Sequence, residues 1–157
     1  MEMNRDNGKG QEMSEKKAVR VLIMTDCPND VAVLQAYMSD FHRYNVETKC
    51  ATNIAQALYR LRNGRFSLII LDSRHPSDVS PKEVLETFQE CKVDVPVVII
   101  TAGGDEQILA EGIKMGFFDY ITDAELNTGV LEKTVQKALE RYVQQAKHKY
   151  SEEMPKA

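Results

Sequence analysis

Short apolar runs alternate with helical patterns along this chain, and that alternation constrains the fold more than any other feature. Apolar runs of strand length lie at residues 19–24, 66–71, 96–100 and 117–122, and a fifth, more polar strand is predicted at 46–50. The runs at 66–71 and 96–100 are too continuously apolar for a strand that faces water on one side. They therefore predict central strands that are covered on both faces of a sheet.

Apolar residues at helical spacing fill the intervals between the strands. After Pro28 the apolar positions Val31, Leu34, Met38 and Phe41 recur three or four residues apart, which is typical of a helix with one buried face. Similar patterns predict helices over 54–61, after residue 81, over 106–114 and over about 126–148. Such alternation predicts an α/β fold with a doubly wound, five-stranded parallel sheet of order 2-1-3-4-5, the flavodoxin-like (βα)5 arrangement.

Length and composition limit what else the chain can be. A chain of 157 residues predicts one domain, here over 18–148, between a disordered arm at 1–17 and a tail at 149–157. The formal net charge of −4 gives no basic footprint for nucleic acid, and the longest apolar stretch is far shorter than the ~20 residues of a membrane span. Three widely spaced cysteines suit a reducing compartment. We therefore predict a cytoplasmic protein without nucleic-acid or membrane partners.

Polar side chains stand where the predicted strands end. Asp26, Asp72, Thr101 and Asp123 each follow or close one of the runs. In open α/β sheets ligands bind beyond the carboxyl ends of the strands, near the point where strand order reverses. Carboxylate oxygens are the ligands that Mg²⁺ prefers, although any one strand end can be polar simply because the chain is reaching the surface.

Four segments together resemble the receiver domain of two-component response regulators, the CheY-like superfamily. Residues 21–30 look like its first strand and acidic turn, and 68–76 like its phosphoacceptor strand with the proline that follows. Residues 96–102 are similar to its fourth strand with a hydroxyl-alanine pair, and 116–123 to its fifth. The resemblance covers about residues 18–142, nearly the whole predicted domain.

The resemblance implies a role for each matching residue. Asp72 would be the phosphoacceptor, and Asp26, Asp72 and the backbone carbonyl of Arg74 would hold Mg²⁺. Thr101 and Tyr120 would act as the switch that relays phosphorylation to the surface of the fourth helix, fifth strand and last helix. That surface is the candidate for a homodimer, and a histidine kinase or another signalling protein is the implied partner. The resemblance implies a signalling domain without catalytic residues, not an enzyme.

Two residues depart from the family pattern. Thr25 stands where the family usually has an acid, and Asp123 where it has a lysine. With a divalent metal, the carboxylates of Asp26, Asp72 and Asp123 sum to −1 before any phosphoryl group arrives. A unit-charge contact at ~4 Å is worth about 4 kcal/mol at an effective dielectric near 20, so we expect weakened phosphorylation. Asp123 either adds a carboxylate to the metal site or turns outward as a cap of the last helix.

Three functions are compatible with this sequence. The chain is a stand-alone phosphorylatable receiver, a pseudo-receiver that works without phosphate, or a flavodoxin-like flavin or nucleotide binder. The third is disfavoured because residues 25–30 are acidic rather than a phosphate-binding loop. Output through protein contacts is expected, since nothing foldable follows the last helix. Cys27 could sense oxidants, but its acidic neighbourhood disfavours the reactive thiolate. His75 is either a solvated loop residue or a participant in phosphotransfer or metal binding.

Overall fold

Five parallel strands and five helices build the protein, in a computed structural model that describes residues 16–75, 79–103 and 106–153. The strands are β1 (Lys17–Met24), β2 (Tyr44–Ala51), β3 (Leu68–Asp72), β4 (Val97–Thr101) and β5 (Asp119–Thr122). The helices are α1 (Pro28–Ser39), α2 (Ile54–Arg62), α3 (Pro81–Glu90), α4 (Glu106–Met115) and α5 (Thr128–Glu153). The sheet order is β2-β1-β3-β4-β5, which confirms the predicted doubly wound topology.

Two apolar layers cover the sheet, and the central strands contribute side chains to both. On β3, Leu68 and Ile70 point into the layer formed with α1 and α5. Ile69 and Leu71 point into the opposite layer, formed with α2 and α3. Side chains on a strand alternate between its faces, so a strand buried on both sides must be apolar at every position. The continuous apolar run in the sequence therefore correctly marked this strand as central.

The last helix begins later than the sequence pattern predicts. Residues Asp123–Glu125 form a 3₁₀ turn, and Leu126 then adopts an extended backbone. The helix proper starts at Thr128 and continues to Glu153, beyond the expected end near residue 148. Of the arm predicted over residues 1–17, residues 1–15 lie outside the described residues and Lys17 already begins β1. Of the tail predicted over 149–157, residues 149–153 continue α5 and residues 154–157 lie outside the described residues. In the described part of the chain, no helix combines the length and apolarity needed to span a membrane.

Asn127 caps the start of α5, and its removal should weaken the fold. Its Oδ1 accepts a hydrogen bond from the backbone N–H of Val130 at 2.9 Å, which satisfies one of the donors left unpaired at a helix start. We expect Asn127→Ala to lower the free energy of unfolding by about 1 kcal/mol, measured by urea denaturation. Asn45→Ala, on the exposed side of β2, is the matched control, and an equal loss in both variants would contradict the capping role.

Candidate functional site

The sheet brings the predicted strand-end residues to one edge. Asp72 closes β3 opposite Ile100 of β4, and Thr25 and Asp26 follow the end of the neighbouring strand β1. The Asp72 side chain has no exposed surface, whereas Asp26 is exposed. Thr25, Asp26 and Asp72 line one cleft together with Ser73. The edge therefore holds one fully buried carboxylate beside one that faces solvent.

The Arg74 side chain occupies the space in front of Asp72. Its Nε donates to Asp72 Oδ1 at 2.9 Å and its Nη2 to Asp72 Oδ2 at 2.6 Å. The backbone N–H of Arg74 also donates to Oδ1, at 3.1 Å. On its outer side, Nη1 donates to Asp123 Oδ1 at 2.9 Å, and Nη2 lies 3.5 Å from Asp30 Oδ1. One guanidinium thus bridges three carboxylates.

This bridge is a buried, two-pronged ion pair. Only 12% of the Arg74 side chain is exposed, and planar guanidinium–carboxylate pairs of this geometry are among the stronger charge-assisted hydrogen bonds. The hydrogen bond to Asp72 raises the pKa of Arg74 above its ordinary value, outweighing the opposite effect of burial, and the bond to Asp123 adds to the rise. The guanidinium therefore stays charged and offsets the negative charge of Asp72.

Asp123 acts differently from either sequence-based expectation. Its side chain is 60% exposed and its described polar contact is with Arg74, while the capping of α5 is performed by Asn127. Asp123 thus helps to hold the guanidinium of Arg74 in the pocket. The charge count made from the sequence omitted Arg74. The single positive charge of Arg74 faces the carboxylates of Asp72, Asp123 and Asp30.

The arrangement around Asp72 does not fit a bound Mg²⁺. Carboxylates of Asp26 and Asp72 are ligands of the type that Mg²⁺ accepts, and this ion demands a nearly octahedral set of oxygens. Both Asp72 oxygens already accept hydrogen bonds from the guanidinium of Arg74. A Mg²⁺ ion bound to the same Asp72 oxygens would repel the Arg74 guanidinium. Binding of Mg²⁺ to Asp72 therefore competes with the Arg74–Asp72 pair.

Thr25 contributes a hydroxyl group where an acid was expected. The residue is 8% exposed, and its Oγ1 accepts a hydrogen bond from the backbone N–H of Cys27 at 3.2 Å. This contact stabilises the turn between β1 and α1 without adding charge. Asp26 consequently stands as the exposed carboxylate of this turn.

Thr101 and Tyr120 lie close enough in the sheet register to be coupled. Tyr120 pairs with Ile99 and Thr101 with Thr122, so the two side chains share one face of the sheet, one diagonal step apart. Thr101 Oγ1 accepts a hydrogen bond from the backbone N–H of Gly103 at 3.3 Å. Tyr120 is half-buried against the α2–α3 layer. The switch role implied for this pair stays a prediction.

The sequence reasoning missed the Arg74 side chain and Asp30. Arg74 was considered only for its backbone carbonyl, and Asp30 only as part of the acidic turn. A signal was present, because an arginine two residues after a candidate phosphoacceptor can fold back onto it. The sequence gives no direct indication that Asp123, 49 positions away, would hold the other side of the guanidinium.

Two comparisons with known sequences match this chain to the same kind of domain. The sequence model of the response regulator receiver domain matches residues 21–136. The response regulator protein PilR of Pseudomonas aeruginosa is 31% identical over 127 residues, which span 81% of this chain and 27% of PilR. The chain therefore matches only about a quarter of that relative's length.

Solved structures agree on the fold. NtrX from Brucella abortus superposes with a TM-score of 0.73 at 21% identity, over 84% of this chain and 30% of that one. The receiver domain of the Francisella response regulator 1452 gives a TM-score of 0.63 at 22% identity, over 78% of this chain and 98% of the other. At these identities the likeness concerns the fold alone.

Proposed function

This chain belongs to the response regulator receiver family of two-component signalling, and we propose that Asp72 is its phosphoacceptor and that Arg74 restrains the reactivity of Asp72. The observation that carries this proposal is the two-pronged hydrogen bonding of Arg74 to both Asp72 oxygens. An oxygen engaged in this way is a poorer nucleophile, because its lone pairs are directed at the guanidinium. Phosphorylation then requires Arg74 to turn away first.

The transfer itself is a displacement at phosphorus. One Asp72 oxygen forms a bond to the phosphorus atom while the bond from phosphorus to the donor's histidine nitrogen or acetyl oxygen breaks. The electron pair of that bond leaves with the donor. The product is an aspartyl phosphate with additional negative charge, and a guanidinium binds phosphoryl oxygens bidentately. Arg74, anchored by Asp123 at 2.9 Å, would then supply the cation that the family's lysine supplies.

Receiver domains generally bind Mg²⁺ at the phosphorylation site. In this chain Asp26, Asp72 and the Arg74 carbonyl are the residues that would hold it, and only after the Arg74 side chain has left Asp72. We therefore propose weak binding of Mg²⁺ in the resting state. No step of the transfer described above depends on the position of that ion.

Receiver domains act with histidine kinases or other signalling proteins as partners. For this chain we propose output by protein contact from the surface of α4, β5 and α5, where a homodimer would also form, with Thr101 and Tyr120 as the relay. Because the chain matches only 27% of the length of PilR, these whole-protein activities are proposals. The same holds for a cytoplasmic location and for the absence of enzymatic turnover.

A second candidate function is a pseudo-receiver that binds its partner without phosphorylation. The observation that favours it is the completeness of the ion-pair network, in which Arg74 contacts Asp72, Asp123 and Asp30. In such a pocket the Arg74 guanidinium already offsets the buried charge of Asp72, without metal or phosphate.

Labelling with acetyl phosphate distinguishes the two candidates. We expect wild-type protein to gain one phosphoryl group slowly, because Arg74 must leave Asp72 first, and Asp72→Asn to gain none, as measured by intact-protein mass spectrometry. Asp40→Asn, an exposed carboxylate beyond the end of α1, is the matched control and should label like the wild type. Labelling that survives in Asp72→Asn would refute Asp72 as the acceptor. Complete absence of labelling in the wild type would favour the pseudo-receiver.

A further inference from the structure

A second cluster of metal-binding side chains lies beside the pocket and shares only Asp30 with the residues around Arg74. Cys27, Asp30 and His75 place one sulfur, one carboxylate oxygen and one imidazole nitrogen within 4.8 Å of one another. Cys27 immediately precedes α1, Asp30 lies in the first turn of that helix, and His75 lies in the loop after β3. Three different ligand types from two separate segments thus converge on one point.

The contacts within the cluster leave ligand capacity free. His75 Nε2 lies 2.9 Å from Asp30 Oδ2, which is an ion-pair distance, but the two groups are not aligned as a hydrogen bond. That buried oxygen accepts no hydrogen bond from the described residues. The Cys27 side chain makes no capping hydrogen bond to α1, although Cys27 and Asp30 lie three residues apart and so face the same side of the helix start. A buried carboxylate oxygen that accepts no hydrogen bond is costly, and a cation bound between the three side chains would relieve that cost.

The mixture of ligands selects the type of cation. Sulfur and imidazole nitrogen are poor ligands for Mg²⁺, whereas Zn²⁺ accepts thiolate, imidazole and carboxylate together. In a tetrahedral zinc site the ligand atoms are about 3.3–3.8 Å apart, as follows from metal–ligand bonds of about 2.0–2.3 Å. The separations of up to 4.8 Å therefore require only a small inward movement of the ligands.

We propose that Cys27, Asp30 and His75 form a binding site for Zn²⁺, with water as the fourth ligand. On binding, the Cys27 thiol releases one proton to solvent and its sulfur forms the metal–thiolate bond, while His75 binds as neutral imidazole. The thiolate and the Asp30 carboxylate balance the two positive charges of the ion. The metal joins the loop after β3 to the start of α1. This proposal does not depend on phosphorylation of Asp72.

Cobalt titration of the reduced, metal-stripped full chain tests the site. Co²⁺ replaces Zn²⁺ in such sites and gives a near-ultraviolet charge-transfer absorption when a thiolate is bound. We expect one Co²⁺ per chain, an absorption that Zn²⁺ abolishes by displacement, and no such absorption in Cys27→Ser. His75→Ala should weaken Co²⁺ binding about tenfold or more, since even the loss of a supporting outer-shell contact commonly costs that much.

Matched controls keep the result interpretable. Cys50→Ser, Cys91→Ser and His42→Ala replace the same residue types elsewhere and should leave the absorption and affinity unchanged. Asp72→Asn should also retain the cobalt site, which separates this proposal from the phosphoacceptor proposal. His75 is 55% exposed, so its replacement should not unfold the chain. The proposal is overturned if the wild type shows no charge-transfer absorption, if the absorption persists in Cys27→Ser, or if His75→Ala binds Co²⁺ as the wild type does.

Discussion

Replacing Arg74 with alanine is expected to lower the free energy of unfolding by about 3 kcal/mol, because breaking a buried ion pair leaves its partner as an uncompensated charge. The Asp72 side chain has no exposed surface and would lose both hydrogen bonds from the guanidinium. Urea denaturation at neutral pH, low salt and without divalent ions measures the effect. Arg62→Ala, an exposed arginine at the end of α2, is the matched control and should change stability by no more than about 0.5 kcal/mol.

The reciprocal substitution, Asp72→Asn, should lower the free energy of unfolding less than Arg74→Ala does. In Asp72→Asn, Arg74 keeps its contacts with Asp123 and Asp30, so no buried charge is left without an opposite partner. The double variant Arg74→Ala/Asp72→Asn should therefore recover much of the stability that Arg74→Ala loses. A double variant as unstable as Arg74→Ala alone would mean that the loss comes from packing and not from the unpaired carboxylate.

Magnesium provides an independent readout of the same change. Without the guanidinium, the oxygens of Asp72 become available to a divalent ion beside Asp26. A ligand that binds only the folded state stabilises it in proportion to the logarithm of its concentration over Kd. Added Mg²⁺ should thus raise the melting temperature of Arg74→Ala more than that of the wild type. An equal shift in both would contradict the competition between Mg²⁺ and Arg74 for Asp72.

The sheet could be predicted from the sequence because its central strands are buried on both faces. Only a strand of that kind requires an apolar side chain at every position, as at Leu68, Ile69 and Ile70, so the pattern has few alternative explanations. The start of the last helix was harder to place. Leu126 fits the helical apolar pattern, but the backbone there is extended, and the cap at Asn127 decides where the helix begins.

The site could be predicted only as far as the backbone determines it. The positions of Asp26 and Asp72 follow from the strand ends and the sheet order. The direction of the Arg74 side chain does not, because it depends on an acceptor 49 residues away in sequence and on a third carboxylate in α1. Charge totals from sequence depend on which side chains are assumed to enter the pocket, and the omission of Arg74 changed that total by one.

Arg74 and the departure at Asp123 are best understood as a pair. An aspartate in place of lysine would leave the pocket without its cation if nothing else changed. Here the cation comes from the loop after β3, and Asp123 helps to fix it over Asp72 at a hydrogen-bond distance of 2.9 Å. The pocket thereby keeps one cation, which comes from the phosphoacceptor's own loop instead of the fifth strand. The difference is that this cation contacts both oxygens of the residue that must react.

Exchanging both residues together should restore a more reactive pocket. We expect the double variant Arg74→Asn/Asp123→Lys to accept phosphate from acetyl phosphate at least about tenfold faster than the wild type. Asparagine frees the Asp72 oxygens, and lysine returns a cation to the end of β5. One charged contact of about 4 kcal/mol sets an upper limit near a thousandfold. The gain should be smaller because the side chain at position 123 is 60% exposed and solvent screens its charge.

The two single variants test whether the residues act as a pair. Arg74→Asn alone frees Asp72 but leaves the pocket without a cation, and Asp123→Lys alone places a second cation beside Arg74. Each should therefore gain less than the double variant, and the rates should combine non-additively, as expected for groups in direct contact. Initial rates from mass spectrometry at fixed Mg²⁺ give this comparison, with Asp72→Asn in the double background as the blank. Additive effects, or a double variant no faster than the wild type, would show that the Asp123–Arg74 pair does not control the reactivity of Asp72.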